Sequence, residues 1–370
     1  MEQRTFDELV RHMIGGATRR KAMGLAAAIG LGGLAWSRDD AEAKKKKRKK
    51  KLFCLNGKQV KAKHKKKKRR LRRQGATRGK CPDTCTPVCP SGACGVSNGC
   101  GGTCGCSGDT VCAAGTCMPC TITCTSDAAT CGTALKAHLT ATTTGSVYIC
   151  PGLYSSTTGF VQQPGVNIYG AGSGSNQASN TILDALNSGP STTLQASTVS
   201  DPATIAGLRI TGGFSTDVGG LAVLANDGRM TIDSCAIVGN TGSNVGGLRV
   251  IGNADLTNVT MSGNTGTNMA GGLFFIAATG QHSATITNSV FDDNTGGQFG
   301  GVSISGIVPG ATVTVDTATQ ITNNTFTVLA GDRAGGIGQA TGSVVAVNVT
   351  GVTISGNSTP QCLNVTGCSL

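Results

Sequence analysis

The sequence predicts an all-β chain whose larger part is a parallel β-helix, a solenoid of short strands and tight turns. Three observations predict it. Gly reaches 56 of 370 residues while charged residues make up only 14% and Trp occurs once, a composition poor for a helical core and suited to strands and turns. An Asn returns at 240, 264, 294, 324 and 357, with spacings of 24, 30, 30 and 33 residues, which is the beat of a stacked-repeat architecture. The text between is rich in Thr, Val, Ile and Ser with period-2 runs such as "ATVTVDTATQITNN", so the stacked unit is a strand and not a helix.

Residues 1–43 read as an export signal. Arg19, Arg20 and Lys21 precede an apolar run from Ala22 to Trp36, and Ala41-Glu42-Ala43 supplies a small-x-small cleavage site before Lys44. The run is about fifteen residues, short for a membrane span, so no transmembrane span is expected in the mature chain. The arginine pair resembles a twin-arginine signal, with Ala22 and Met23 standing where that pattern has a bulky apolar pair. This places the protein outside a bacterial cell or on its envelope.

Residues 44–80 hold 21 of the 32 Lys and Arg, whereas residues 81–370 hold 5 basic against 13 acidic residues and carry a net charge near −8. Like charges at the density of residues 44–80 repel, and the segment reads as disordered. A mobile polycation binds polyanions with strong salt dependence. Outside a cell these are an anionic envelope polymer, a lipid surface or a glycan, and each cation near an anionic membrane contributes about 1 kcal/mol. Nucleic acid suits the tract less well, because Phe53 is its one aromatic residue and base stacking needs more. A solvated tail with no dedicated partner is the bland alternative.

Residues 81–130 form a cysteine-rich module. Twelve of the seventeen cysteines fall between Cys81 and Cys131, which fits an oxidising compartment. Cys117 and Cys120 make the one C-x-x-C, and no His lies in the module; structural zinc wants matched pairs, so disulfides are expected over metal. So short a segment has little apolar surface to bury, and crosslinks must hold it. An odd count leaves at least one thiol over.

Residues 131–370 are the repeat domain. Its plan is an apolar residue, two variable residues, Asn, a turn, then Gly-Gly and an alternating strand, with Gly pairs at 219–220, 246–247, 271–272, 300–301 and 335–336. The Gly pairs are expected to supply positive φ and close approach, and Asn240, Asn264, Asn294, Asn324 and Asn357 to stack as an amide ladder. These repeats resemble the right-handed parallel β-helix, pectin-lyase-like family, and within it the polymorphic outer membrane proteins, whose marks are Gly-Gly-apolar and F-x-x-N. "FDDN", Phe291 to Asn294, matches the second mark; Ile237, Met261, Ile321 and Ile354 replace the Phe in other coils. "TALKAHLTATTTGSVYICPGLY" looks like the capping helix and first strand of such domains. Cys131 with Cys150, and Cys362 with Cys368, are candidate staples for the two ends. Cys235 reads as a buried thiol or half of a hidden pair.

Asp292 and Asp293 stand side by side, as paired catalytic carboxylates do on glycosidases. They fill the two variable positions of a repeated turn, so ordinary turn chemistry is expected of them. For an enzyme, the family resemblance implies carboxylates holding calcium beside a basic residue, or clustered aspartates. Arg209, Arg229, Arg249 and Arg333 are the available bases, and ten aspartates are spread over residues 184–332 without a Glu. His138 and His282 are isolated and read as surface residues. No cofactor, metal or catalytic residue is assigned. The preferred reading is an exported, non-catalytic β-helix for adhesion or glycan binding. A polysaccharide lyase or glycoside hydrolase and a purely structural envelope protein are the alternatives.

Overall fold

The computed structural model describes residues 51–55, 58–62, 65–73, 77–78, 91–92, 94, 105–106, 108–198, 201–278, 282–349 and 351–368. The segment expected to be an export signal, with Arg19, Arg20, Ala43 and Lys44, lies outside them. Among the described residues no helix is long and apolar enough to cross a membrane.

Part of the basic segment carries more order than its charge density leads one to expect. Strands β1 (Lys51–Leu55), β2 (Lys58–Ala62) and β3 (Thr77–Arg78) pair antiparallel in the order β2-β1-β3, and helix α1 spans Lys65–Arg73. Phe53, Ala62 and Leu71 are buried together, with Val60 packed against them. The disorder expected from charge is thus corrected for residues 51–55, 58–62, 65–73 and 77–78, which form these elements. Repulsion is an average over the segment, whereas the apolar residues recur at strand and helix positions that meet. Burying such a side chain is worth about 1.5–3 kcal/mol.

The hairpin β4 (Thr110–Ala113) and β5 (Thr116–Pro119) follows, then helix α2 (Ala128–Ala141). Asp127 caps α2, its Oδ1 accepting the amides of Ala129 at 3.1 Å and Thr130 at 3.0 Å. Leu135 and Leu139 are buried in the solenoid core, so α2 closes its N-terminal end.

From Ser146 onward the chain winds as a parallel β-solenoid of about eight coils. Sheet A stacks eight strands, from Gly152–Ser155 through Ala236–Val238 and Val290–Asp292 to Thr353–Ser355. Sheet B runs from Phe160–Val161 through Leu273–Ala277 to Cys362–Leu363, and sheet C from Ser146–Ile149 through Ser283–Thr287 to Ala346–Asn348. B and C merge where Leu221–Asp233 and Leu248–Thr257 run through both. The core is made of side-chain columns. Tyr154, Leu183, Ile210, Ile237, Met261, Phe291 and Ile321 lie in register along sheet A, each 0% exposed.

The five Asn form a continuous buried ladder. The Nδ2 of Asn240, Asn264, Asn294 and Asn324 each donates to the Oδ1 of the next, at 3.0, 3.0, 2.9 and 2.9 Å. Each also donates to a carbonyl of the preceding coil, as Asn294 does to Met261 at 2.9 Å. The ladder begins at the Gly213 amide, which donates to Asn240 Oδ1 at 3.0 Å, and ends on Gln361 Oε1. Each amide is satisfied by its neighbours, which is what makes a buried polar column tolerable.

The Gly pairs differ from expectation in one respect. None of them has positive φ. Their role is close approach: a Cβ on Gly247 would stand 2.5 Å from the Gly272 carbonyl oxygen. The left-handed corner falls instead on the residue before each ladder Asn, namely Gly239, Gly263, Asp293, Asn323 and Gly356.

Candidate functional site

Asp293 is therefore a corner residue, at φ 54° where three other coils place Gly and one places Asn. Asp and Asn tolerate that conformation better than other side chains. Asp292 accepts from Thr322 Oγ1 at 2.6 Å and Asn323 Nδ2 at 2.8 Å. Asp292 thereby ties its coil to the next through its carboxylate, and Asp293 does so through its amide, which donates to the Thr322 carbonyl at 3.2 Å.

Other carboxylates of the solenoid serve either local turns or the contact between coils. Asp184 accepts from the Leu186 amide, Asp233 from Asn258, Asp316 from Asn288 and Thr319, and Asp332 from Thr341. Asp255 pairs with Arg229 at 2.7 Å, and Arg229 also reaches Ser283. Partial burial works to raise the Asp316 carboxyl, but hydrogen bonds from Thr319 and Asn288 outweigh it and hold it below the usual range. Among the described residues, the one group of three metal-ligand side chains is Cys94, Cys106 and Cys112, and all three are in disulfides. Of the four candidate bases, Arg229 and Arg249 are ion-paired, and Arg333 donates to the Leu329 carbonyl and lies over the Phe326 ring. His282, read as a surface residue, is buried. Its isolation in sequence did not reveal that the strand after it is drawn inward.

The cysteines settle into partners that spacing did not indicate. Cys131 bonds Cys124 and Cys150 bonds Cys120, not each other, while Cys362 bonds Cys368. The segment before α2 runs as a further rung, with Ile122 bridged to Ile149, and that brings Cys120 and Cys124 to the solenoid. Cys94–Cys112 and Cys106–Cys117 hold the hairpin. Cys235 is the buried free thiol, pushed up to about 12 by burial, far from the ionisation a nucleophile needs.

The concave feature with room for a ligand is a groove of about 730 Å³ over the outer face of sheet B. Its floor is two outward columns of sheet B, Val161, Gln195, Ala222 and Arg249 in one and Ser197, Leu224 and Ile251 in the other. Val161 and Leu224 are 49% and 43% exposed. Thr158, Ser191 and Ser215 edge it with hydroxyls. A single ion pair sits in it, Arg249 with Asp217 at 2.5 Å, and Asn244 holds the same carboxylate at 2.9 Å. Partial burial acts to raise Asp217, but the Asn244 and Arg249 hydrogen bonds and the Arg249 charge prevail and keep it below the usual range. The groove thus has a floor of apolar side chains interleaved with Gln195, Ser197 and Arg249, a hydroxylated rim and no uncompensated charge from this pair.

No protein-family model, curated protein or solved structure matches this chain.

The groove was not apparent from the sequence. Its one signal was the run "LAVLA", Leu221 to Ala225, where outward positions of a strand are apolar instead of polar. The wall that turns this face into a groove comes from other segments, Thr157–Thr158, Pro190–Thr192 and Ser215 with Asp217.

Proposed function

We propose that this chain is an exported, envelope- or surface-associated β-solenoid that binds glycan chains without cleaving them. The groove over sheet B carries the reading. A sugar ring presents an apolar face and a hydroxyl edge, and a floor of Val161, Leu224 and Ile251 beside Thr, Ser and Gln matches that pairing. The solenoid's carboxylates act as turn and coil connectors, so the chemistry proposed is recognition. The basic segment, residues 44–80, adds attachment to an anionic envelope polymer, lipid surface or acidic glycan. The five disulfides among the described residues support an oxidising, extracytoplasmic setting. The proposed family kinship is with pectin-lyase-like β-helices, on the coil plan alone.

The test is incubation of the chain with neutral and acidic polysaccharides, followed by mass spectrometry of soluble products and by retention on the polymers. Intact polymers are expected. Leu224→Ser with Val161→Ser should weaken retention on a bound polymer about tenfold or more, the loss of two apolar contacts worth about 1 kcal/mol each. Asp292→Asn and Asp293→Asn should leave retention unchanged. Release of new oligosaccharides, abolished by either Asp substitution, would make the protein an enzyme and overturn the reading.

A further inference from the structure

A second, smaller cleft of about 270 Å³ lies where α2 meets the first coil. One wall is a face of α2, with Ala129, Thr133 and Lys136 at helical spacing. The other is the corner from Ser155 to Thr158, together with Leu186. Gly132 lets the two walls meet, since a Cβ there would overlap the Ser155 carbonyl. Thr157 and Thr158 also line the groove over sheet B, so they divide the cleft from it.

Three side chains of this cleft have no role in holding the fold. Lys136 is the one Lys of residues 81–370 and is half-buried. It donates to the Thr158 hydroxyl, and among the described residues it forms no ion pair. Asp184, in register with Ser155 on the neighbouring coil, accepts the Leu186 amide at 2.8 Å and does not line the cleft. Ser155 is 4% exposed, and its Oγ has no hydrogen-bond partner among the described residues, whereas buried hydroxyls are ordinarily paired. Leu186 is 45% exposed and has a φ of 63°. Among the described residues it is the one large apolar side chain in the left-handed region. Backbone outliers of this kind gather at ligand sites. The Asp184 bond and the Asn187 amide, which donates to the Gly212 carbonyl at 2.7 Å, hold Leu186 there.

These groups define a ligand. Lys136 asks for a negative charge and Ser155 for a hydrogen-bonding oxygen beside it. Leu186 asks for an apolar group a short way from that charge. The exposed hydroxyls of Thr133, Thr157 and Thr158 suit amide groups. A peptide that ends in an apolar residue supplies all of these from one terminus. An acyl chain lacks the amides, and a sugar lacks a compact apolar group next to a charge.

We propose that this cleft binds the C-terminal residue of a peptide that ends in an apolar side chain. The carboxylate meets Lys136 and Ser155, and the side chain lies on Leu186. Capture of a terminal carboxylate is a recurring mode of peptide recognition. The site is separate from the glycan groove and does not rest on that reading.

The test is titration of the intact chain, followed by NMR of the Leu186 methyl groups, with N-acetyl-leucine, its amide and acetyl-glycyl-glycyl-leucine. Saturable shifts are expected with both acids. The peptide should bind about fivefold or more tighter than N-acetyl-leucine, the worth of one further hydrogen bond. The amide, and the acid against Lys136→Met, should each bind about tenfold or more weaker, through loss of a charged hydrogen bond. Ser155→Ala should weaken binding without lowering the unfolding midpoint, since its Oγ holds nothing in the fold. Leu186→Gly should weaken binding while stability holds or rises, because Gly adopts that φ without strain. Leu224→Ser with Val161→Ser should leave this binding unchanged, so that the cleft and the groove fail separately. No saturable shift with either acid, or equal affinity for acid and amide, would overturn the proposal. So would unchanged binding by a Lys136→Met chain whose circular dichroism is preserved. Should that variant fail to fold, the comparison of acid with amide on the unsubstituted chain decides. A peptide no tighter than N-acetyl-leucine would overturn the assignment to a peptide end.

Discussion

The middle coils and the N-terminal end of this molecule solve the same problem by different means. Between Leu208 and Asn357 each coil lies between two copies of its own pattern. Apolar columns stack on apolar columns, and each ladder amide finds a donor and an acceptor one coil away. No covalent link is formed in that stretch, and its one cysteine, Cys235, is free. The N-terminal end has no preceding coil. A helix covers the core there, and among the described residues four disulfides between Cys94 and Cys150 fix the hairpin, the rung and α2 to one another. Where repetition supplies partners, hydrogen bonds and packing suffice. Where it stops, crosslinks take over, because a short irregular segment buries too little apolar surface.

Three measurements break or sharpen that contrast. The largest effect is expected in the middle of the ladder. Asn294→Ala removes the acceptor of the Asn264 side chain and backbone amides and the donor to the Met261 carbonyl. Leaving such buried groups unpaired should cost about 4 kcal/mol in chemical denaturation, since each unsatisfied group costs about 1–3 kcal/mol. Asn357→Ala should cost clearly less, because Asn357 is 8% exposed and water reaches the groups it leaves. Equal losses at both positions would show that the ladder is not stabilised by burial.

A somewhat smaller effect is expected at the N-terminal end. Replacing Cys120 and Cys150 together by Ser opens a loop of 30 residues and should lower stability by about 3–4 kcal/mol on the chain-entropy account. Exchange protection should fall in strands Ser146–Ile149 and Asn167–Gly170 and stay unchanged beyond Leu208. Loss of protection along the whole rod would mean that the coils depend on the staple after all.

The smallest effect is one of acid. Asp127 at the α2 N-cap is held below the usual carboxylate range, first by the Thr130 hydroxyl and then by backbone amides of the first turn. A depressed folded value means that the cap stabilises fully above the ordinary Asp value of 3.8 and fades as pH falls through the lower folded one. Exchange at the Ala129 and Thr130 amides should rise only in that acid window. The Asn ladder carries no proton and should show no such step.

Much of this architecture was legible in the residues. A ladder Asn must recur once per coil, so the spacing of Asn240, Asn264, Asn294, Asn324 and Asn357 exposes the coil length. The flanking Gly pairs mark where backbones approach too closely for a Cβ. Asp293 was legible for the same reason, since Gly, Asn and Asp alternate at its position. Order in residues 51–78 was hidden behind the charge, because four apolar side chains that meet in space are far apart in a basic text. The apolar floor of the groove was half visible in Leu221 to Ala225, but its walls were not.

What the sequence by itself determined is whatever repeats: period, strand direction, the buried amide column and the turn position of the Asp292–Asp293 pair. These follow from contacts between equivalent positions, so a comparison of the chain with itself reveals them. Only the tertiary structure decided the partners of Cys120, Cys124, Cys131 and Cys150 and the groove over sheet B. Each depends on segments brought together once, with no second copy in the chain to compare. Sulfur pairing follows Cα positions within about 7 Å, and those positions are set only after the rung at Ile122 has joined the solenoid.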